Sequence, residues 1–262
     1  MTIAKHELKQ SLKSLAVWTV SIGFFIVICI FMFPQMKSET DKMSEMFASM
    51  GSFSAAFGMD KLNFGTLIGF YAVECGNILG LGGAFFACLL AVSALSKEEK
   101  DKTAEFLLTH PVSRTRILTE KLFSVLVQLS VMNLIVFASA VLSVAVIGEE
   151  IPLKEMCLTH LAYFLMQLEL SGICFGISAF VRRGSAGIGL GLATGMYFLN
   201  IVANISDQAK GFRYISAFGY TDAADIVTDG KLDMTAVLIG MSFAVISVAA
   251  AYLKYRKKDI HG

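Results

Sequence analysis

Two carboxylates, Glu74 and Glu169, stand inside long apolar stretches of the chain, with the amides Asn77 and Gln167 beside them. An ionised acid at the centre of a membrane helix costs about 2.5–3.5 kcal/mol on insertion scales, so such a group faces protein or a water-filled cavity. Two roles fit this quartet. It lines a translocation path or binds a cation, or it locks a helix bundle through protonated or hydrogen-bonded carboxyls. The four histidines, His6, His110, His160 and His261, are scattered, and the five cysteines stand singly at Cys29, Cys75, Cys88, Cys157 and Cys174. That spacing indicates neither a zinc site nor a disulfide framework. A nucleophile elbow, an H-E-x-x-H motif and a phosphate-cradling G-x-x-x-x-G-K-[ST] loop are absent from the sequence. Gly187-x-Gly189 does not open a dinucleotide fingerprint, because Leu192 occupies the place of its third glycine. The expectation is a chain with no catalytic residue and no bound metal.

The elements that must hold these groups are membrane spans. Of 262 residues, 55% are hydrophobic and 16% charged, with mean hydropathy +0.66, against about 25% charged in a soluble domain. Intrinsic disorder is excluded. With 22 Lys+Arg against 21 Asp+Glu, the chain also lacks the basic excess of a nucleic-acid binder. Apolar runs long enough for a roughly 30 Å hydrocarbon core lie near 15–33, 64–95, 122–147, 161–181, 184–203 and 234–253. The fold expected is an all-α membrane protein with six transmembrane helices. Pro34, Pro111 and Pro152 fall between the runs, where a missing N–H is harmless. The second run would be about 48 Å long if wholly helical, so it must tilt, break or project. Arg182 and Arg183 leave only a turn between the fourth and fifth. Small residues recur every four positions at Gly76, Gly80, Ala84 and Cys88, at Gly172 and Gly176, and at Gly187, Gly191 and Gly195. Each series is a smooth face for close helix approach, within the bundle or across a dimer.

Six spans return both termini to one side of the membrane. That side carries 15 of the 22 basic residues, which predicts cytoplasmic termini. The first run is too long for a signal peptide and no small-residue cleavage site follows it. Ahead of it, Leu8, Leu12 and Leu15 share one helical face and Lys5, Lys9 and Lys13 another, which predicts an interfacial amphipathic helix over 1–14 lying on anionic lipid. On the other side, Met43, Met46, Phe47 and Met50 predict a short amphipathic helix.

The loop between the second and third runs is the most informative segment. Charges at Lys97, Glu98, Glu99, Lys100 and Lys102 lead past Thr103 into Glu105-Phe106-Leu107-Leu108. Pro111 ends that helix and Ser113, after Val112, caps the next. The pattern predicts a short amphipathic helix at the membrane face, suited to taking a push from a soluble partner.

This loop resembles the hallmark of the type-2 ABC transporter permeases, E-[RK]-x-x-G-T-x-E-x-L-L-x-x-P-[VI]-[ST]-R. Glu99, Lys100, Thr103, Glu105, Leu107, Leu108, Pro111, Val112, Ser113 and Arg114 match it, with Lys102 in place of the glycine. Ile215-Ser216-Ala217-Phe218-Gly219-Tyr220 is similar to the family's S-P-F-x-Y, with Ala217 where proline is common. The tail Tyr252-Leu253-Lys254-Tyr255-Arg256-Lys257-Lys258-Asp259 resembles its closing Y-x-x-x-x-R-R-D. The resemblance implies a half-transporter, one permease domain over 1–262, in the plasma membrane of a bacterium. It implies export driven by a separate cytosolic ABC ATPase in two copies, and a second permease chain, identical or homologous. ATP and Mg would then bind the ATPase, with no cofactor on this chain. Residues from Glu98 to Arg114, Phe106 among them, would form the coupling helix. The alternative is a scaffold or sensor subunit that docks an ABC ATPase and transports nothing; a third reading is an integral membrane enzyme or an ion-coupled carrier using Glu74 and Glu169.

Overall fold

The structure, a computed structural model, describes residues 2–39, 46, 49–57, 59, 62–100, 112–181 and 185–257. Six long helices build it: α1 (Thr2–Lys37), α2 (Leu67–Val92), α3 (Arg114–Ile147), α4 (Leu153–Phe180), α5 (Ala186–Ile205) and α6 (Met234–Lys257). Each contains a stretch long and apolar enough to cross a membrane, and no strand occurs among the described residues. In hydrocarbon a helix satisfies its own backbone N–H and C=O groups, so six apolar runs become six helices.

The helices differ in extent from the apolar runs. Residues 2–14 are not a separate interfacial helix: α1 continues through them without a break. No glycine or proline stands before Gly23 to bend it. Its first turn is also held from outside, because Glu120 Oε2 accepts the backbone N–H groups of Ile3 and Ala4 at 2.9 and 3.0 Å. With 36 residues, α1 is about 54 Å long and projects beyond the hydrocarbon. Pro34 lies inside α1 rather than between spans, close to its end at Lys37.

The second helix is shorter than the run that predicts it. Thr66 opens α2 by accepting the Gly69 N–H at 3.2 Å, and a turn follows Val92. Inside it, Tyr71–Cys75 form a single π-helical turn that includes Glu74. α3 begins behind Ser113, whose Oγ accepts the Arg116 N–H as expected, and stops at Gly148, where φ is 74°. A left-handed residue at that point suits glycine. α4 starts at Leu153, about two turns before the predicted run, and α6 extends to Lys257. Met43, Phe47, Arg182 and Arg183 lie outside the described residues, while Met46 and Met50 are exposed.

α4 is the hub. It packs on α2, α3 and α6, while α1 lies along α3 and α5 leans on α2. In α4 and α2, 67% and 61% of the apolar stretch is buried, against 17–33% in the other four, so two helices are interior and four form the rim. The glycine series divide accordingly. A Cβ at Gly172 or Gly176 would stand 2.8 Å from the Cβ of Ala244 or Ser247 on α6, and one at Gly80 would stand 2.8 Å from the Tyr163 ring. At Gly191 and Gly195 nothing lies within 4 Å. The first two series therefore close the bundle, and the third is an open face on α5.

This difference is testable. Gly176→Ala is expected to lower stability by about 1–3 kcal/mol, since the Ser247 side chain and carbonyl occupy the methyl's place. Gly191→Ala is expected to leave stability unchanged or raise it by up to about 1 kcal/mol. Unfolding of the purified chain in micelles, followed by circular dichroism, separates the two.

Candidate functional site

At the end of the bundle where α1 begins and α6 ends, Lys121, Glu7, Glu98 and Lys97 form one connected ionic cluster. Lys121, in the second turn of α3, is only 1% exposed. An ammonium has three donors, and burying it unmatched is costly. All three find acceptors: Glu7 Oε1 at 3.0 Å, the Ala94 carbonyl at 2.8 Å, and Glu98 Oε1. Glu7 also pairs with Lys97, which donates in turn to Gln10 Oε1 at 3.0 Å. Beside this group, Glu120 takes the Arg116 Nε–H at 2.8 Å on Oε1 while its other oxygen holds the start of α1. A carboxylate at that position complements the positive end of the α1 dipole.

Lys121 holds the entering flank of the loop singled out in the sequence, and Ser113 and Arg114 hold the leaving flank. On the entering side, Glu98 is bonded to Lys121, and Glu99 and Lys100 complete the short helix Lys97–Lys100. On the leaving side, Val112 is half-buried and Ser113 caps α3. Arg114 Nη1 donates to the carbonyls of Tyr255 (3.1 Å) and Arg256 (3.4 Å) at the end of α6, where a cation suits the helix dipole. Thr103, Glu105, Phe106, Leu107, Leu108 and Pro111 lie outside the described residues.

The intramembrane polar residues are bonded in separate directions. Glu169 is buried on α4 and accepts the Tyr220 hydroxyl at 2.8 Å. Gly240 on α6 makes room for it, since a Cβ there would fall 2.1 Å from Glu169 Oε2. Tyr220 precedes α6, outside the spans, and burial, reinforced by Glu169, pushes its phenol well above the usual range. It therefore stays a protonated donor. Gln167 Oε1 accepts from Asn133 Nδ2 of α3 at 2.6 Å. Asn77 Oδ1 accepts from Tyr197 of α5 at 3.2 Å. Glu74 is half-buried in the π turn of α2. Asn77 is thus bonded to α5, Gln167 to α3 and Glu169 to the segment before α6. Asn77, Tyr163, Tyr197 and Asn200 line a pocket of ≈ 50 Å³, room for a few waters.

Several of these residues carry no sequence signal. Lys121 counts there only as a topology charge, and Asn133, Tyr71 and His160 (hydrogen-bonded as Tyr71 Oη to His160 Nε2 at 2.6 Å) look like ordinary span residues. Tyr220 does have one: it ends the segment similar to S-P-F-x-Y. Among the described residues, no three His, Cys, Asp or Glu gather as a metal site.

An all-α bundle of six apolar helices, with ionic side chains gathered at its terminal end and isolated polar bonds inside, defines a multi-span membrane protein. Residues 1–260 match the family profile described as ABC-2 family transporter protein, and the chain belongs to that family of membrane transport subunits. No curated protein matches the chain.

Removing either kind of polar contact has a distinct expected outcome. Lys121→Met strands the Glu98 carboxylate and is expected to cost about 3–5 kcal/mol. Tyr220→Phe is expected to cost about 1–3 kcal/mol by leaving Glu169 without its donor, whereas Glu74→Gln is expected to stay within about 0.5 kcal/mol. Thermal melts of the three variants check this, and an unaffected Tyr220→Phe would refute a locking role for Glu169.

Proposed function

We propose that the chain is the permease subunit of an ATP-driven exporter, with cytoplasmic termini. Two copies of a separate cytosolic ABC ATPase press on the loop between α2 and α3, and a second permease chain, identical or homologous, completes the pathway. ATP and Mg are held by the ATPase, and this chain contributes movement rather than covalent chemistry. The observation that carries the reading is the anchoring of the loop. Glu98 is tied through Lys121 to α1 and α3, and Arg114 to the end of α6.

A force on Glu105-Phe106-Leu107-Leu108 is then passed to three long helices instead of being absorbed in slack chain. Packed helices respond to such a force by discrete rigid-body shifts. Glu99, Lys100 and Thr103 belong to the same lever, on the side where Glu98 is pinned. The open Gly191 and Gly195 face of α5 supports the second chain, because small residues let two backbones approach closely in lipid. Asn77, which lines the small polar pocket, and Glu74 on the same helix are only half-buried and are the better pathway residues. Gln167 and Glu169 are already committed to bonds within the bundle.

Co-expression with its ATPase subunit tests the coupling. The wild-type chain is expected to retain the ATPase through purification, and Glu105→Arg to lose at least about 90% of it, more than about 1.4 kcal/mol of binding, while remaining inserted in the membrane. Equal retention refutes the assignment of the loop. In a background without native cysteines, Gly191→Cys chains are expected to cross-link as dimers in membranes; monomers alone would refute pairing through α5.

A further inference from the structure

A cleft of ≈ 230 Å³ runs between α1, the end of α2 and the start of α3. Its lining changes character with depth. Glu7 and Lys97, paired with each other, stand at the terminal end. Ser93 and Ser124 come next, about one turn further in along α2 and α3. At the deep end the walls are Trp18, Phe86, Leu89 and Leu90, with Gln128 among them. Ser14 is exposed on α1 and forms part of the rim, so the cleft opens sideways where the first apolar run begins.

Gln128 is the second, independent sign of a ligand. It is 2% exposed, and its Nε2 donates to the carbonyl and hydroxyl oxygens of Ser124, both at 3.2 Å. Its Oε1 has no hydrogen-bond partner among the described residues. A buried acceptor left unmatched is unfavourable, so this atom marks a place where a donor fits. It lies two helical turns below Lys121, about 10 Å deeper.

We infer that the cleft binds one single-chain membrane amphiphile with a zwitterionic head, a hydroxyl beneath it and one acyl chain, the chemistry of a lysophospholipid. The head sits over the Glu7–Lys97 pair. Lys97, which gives two N–H groups to Glu7 and Gln10, gives its third to the phosphate, and the ammonium lies beside the Glu7 carboxylate, whose oxygens keep their bonds to Lys121 and Lys97. The hydroxyl donates to Gln128 Oε1, and the acyl chain covers Trp18 and Phe86. The sideways opening near Ser14 admits a molecule from the leaflet nearer the termini. The volume, below the roughly 300–1,000 Å³ that encloses a whole drug-sized ligand, takes the hydroxyl and the upper part of one chain, and the rest of that chain leaves through the opening near Ser14 into the leaflet.

Trp18 is the only tryptophan in the chain, so its fluorescence reports occupancy directly. The full-length protein in dodecyl maltoside micelles is titrated with lysophosphatidylethanolamine brominated on its acyl chain. Saturable quenching is expected, reversed by the unbrominated lipid. Half-saturation is expected to rise about fivefold or more in Gln128→Leu, the loss of one hydrogen bond. Should that variant fail to fold, Ser14→Phe, which plugs the exposed rim, is expected to abolish saturation. Quenching that rises linearly without saturation overturns the site, as does saturation that both variants leave untouched. Equal displacement by a diacyl phospholipid overturns the single-chain assignment. None of these readings involves an ATPase, so the result is independent of the coupling proposed above.

Discussion

A lysine ammonium with almost no exposure sets the terms for this structure. Lys121 can be buried only because three acceptors from three different segments meet at its Nζ: Glu7 from α1, the Ala94 carbonyl from the end of α2, and Glu98 from the start of the loop. Move any of them by an ångström or two and a desolvated charge is left short of partners. The position of α1 against α3, and the place where the loop leaves α2, are both consequences of that demand. Glu120, one residue earlier, adds the grip on the first turn of α1.

Deeper in the bundle the governing constraint changes. Between apolar helices in lipid there is little hydrophobic drive, so packing and interhelical hydrogen bonds choose the partners. α4 illustrates this. It meets α6 through Gly172 and Gly176, meets α3 through Gln167 and Asn133, meets α2 through His160 and Tyr71, and reaches the segment before α6 through Glu169 and Tyr220. Polar contacts at His160, Gln167 and Glu169 are followed along one helix by glycine contacts at Gly172 and Gly176, and together they fix it against its neighbours. Gly191 and Gly195 on α5, by contrast, have nothing within 4 Å of where a Cβ would stand.

The two regimes suit the transporter family to which the chain belongs. Ionic and hydrogen bonds at the terminal end tie the loop flanks to α1, α3 and α6. The interior bonds join separate helices one pair at a time, as between Asn133 and Gln167 and between Asn77 and Tyr197. The π turn at Tyr71–Cys75 stands where such a bundle is least regular, and Glu74 is part of it.

Much of this was readable in one dimension, for identifiable reasons. The thickness of hydrocarbon forces each crossing to be a run of about 20 apolar residues, so six helices follow from composition along the chain. Ser113 could be recognised as a cap because capping is local, and the loop carried its own motif. Other features needed the fold. The hold on the first turn of α1 comes from Glu120, more than 100 residues away. The burial of Lys121 and the partnership of Glu169 with Tyr220 join positions whose separation leaves no periodic trace. The three small-residue series show the division most plainly. Their spacing is the same in the sequence, and only tertiary structure decides that Tyr163, Ala244 and Ser247 fill two of them while Gly191 and Gly195 remain uncovered, because close approach is a property of two surfaces and the sequence of one helix describes only its own.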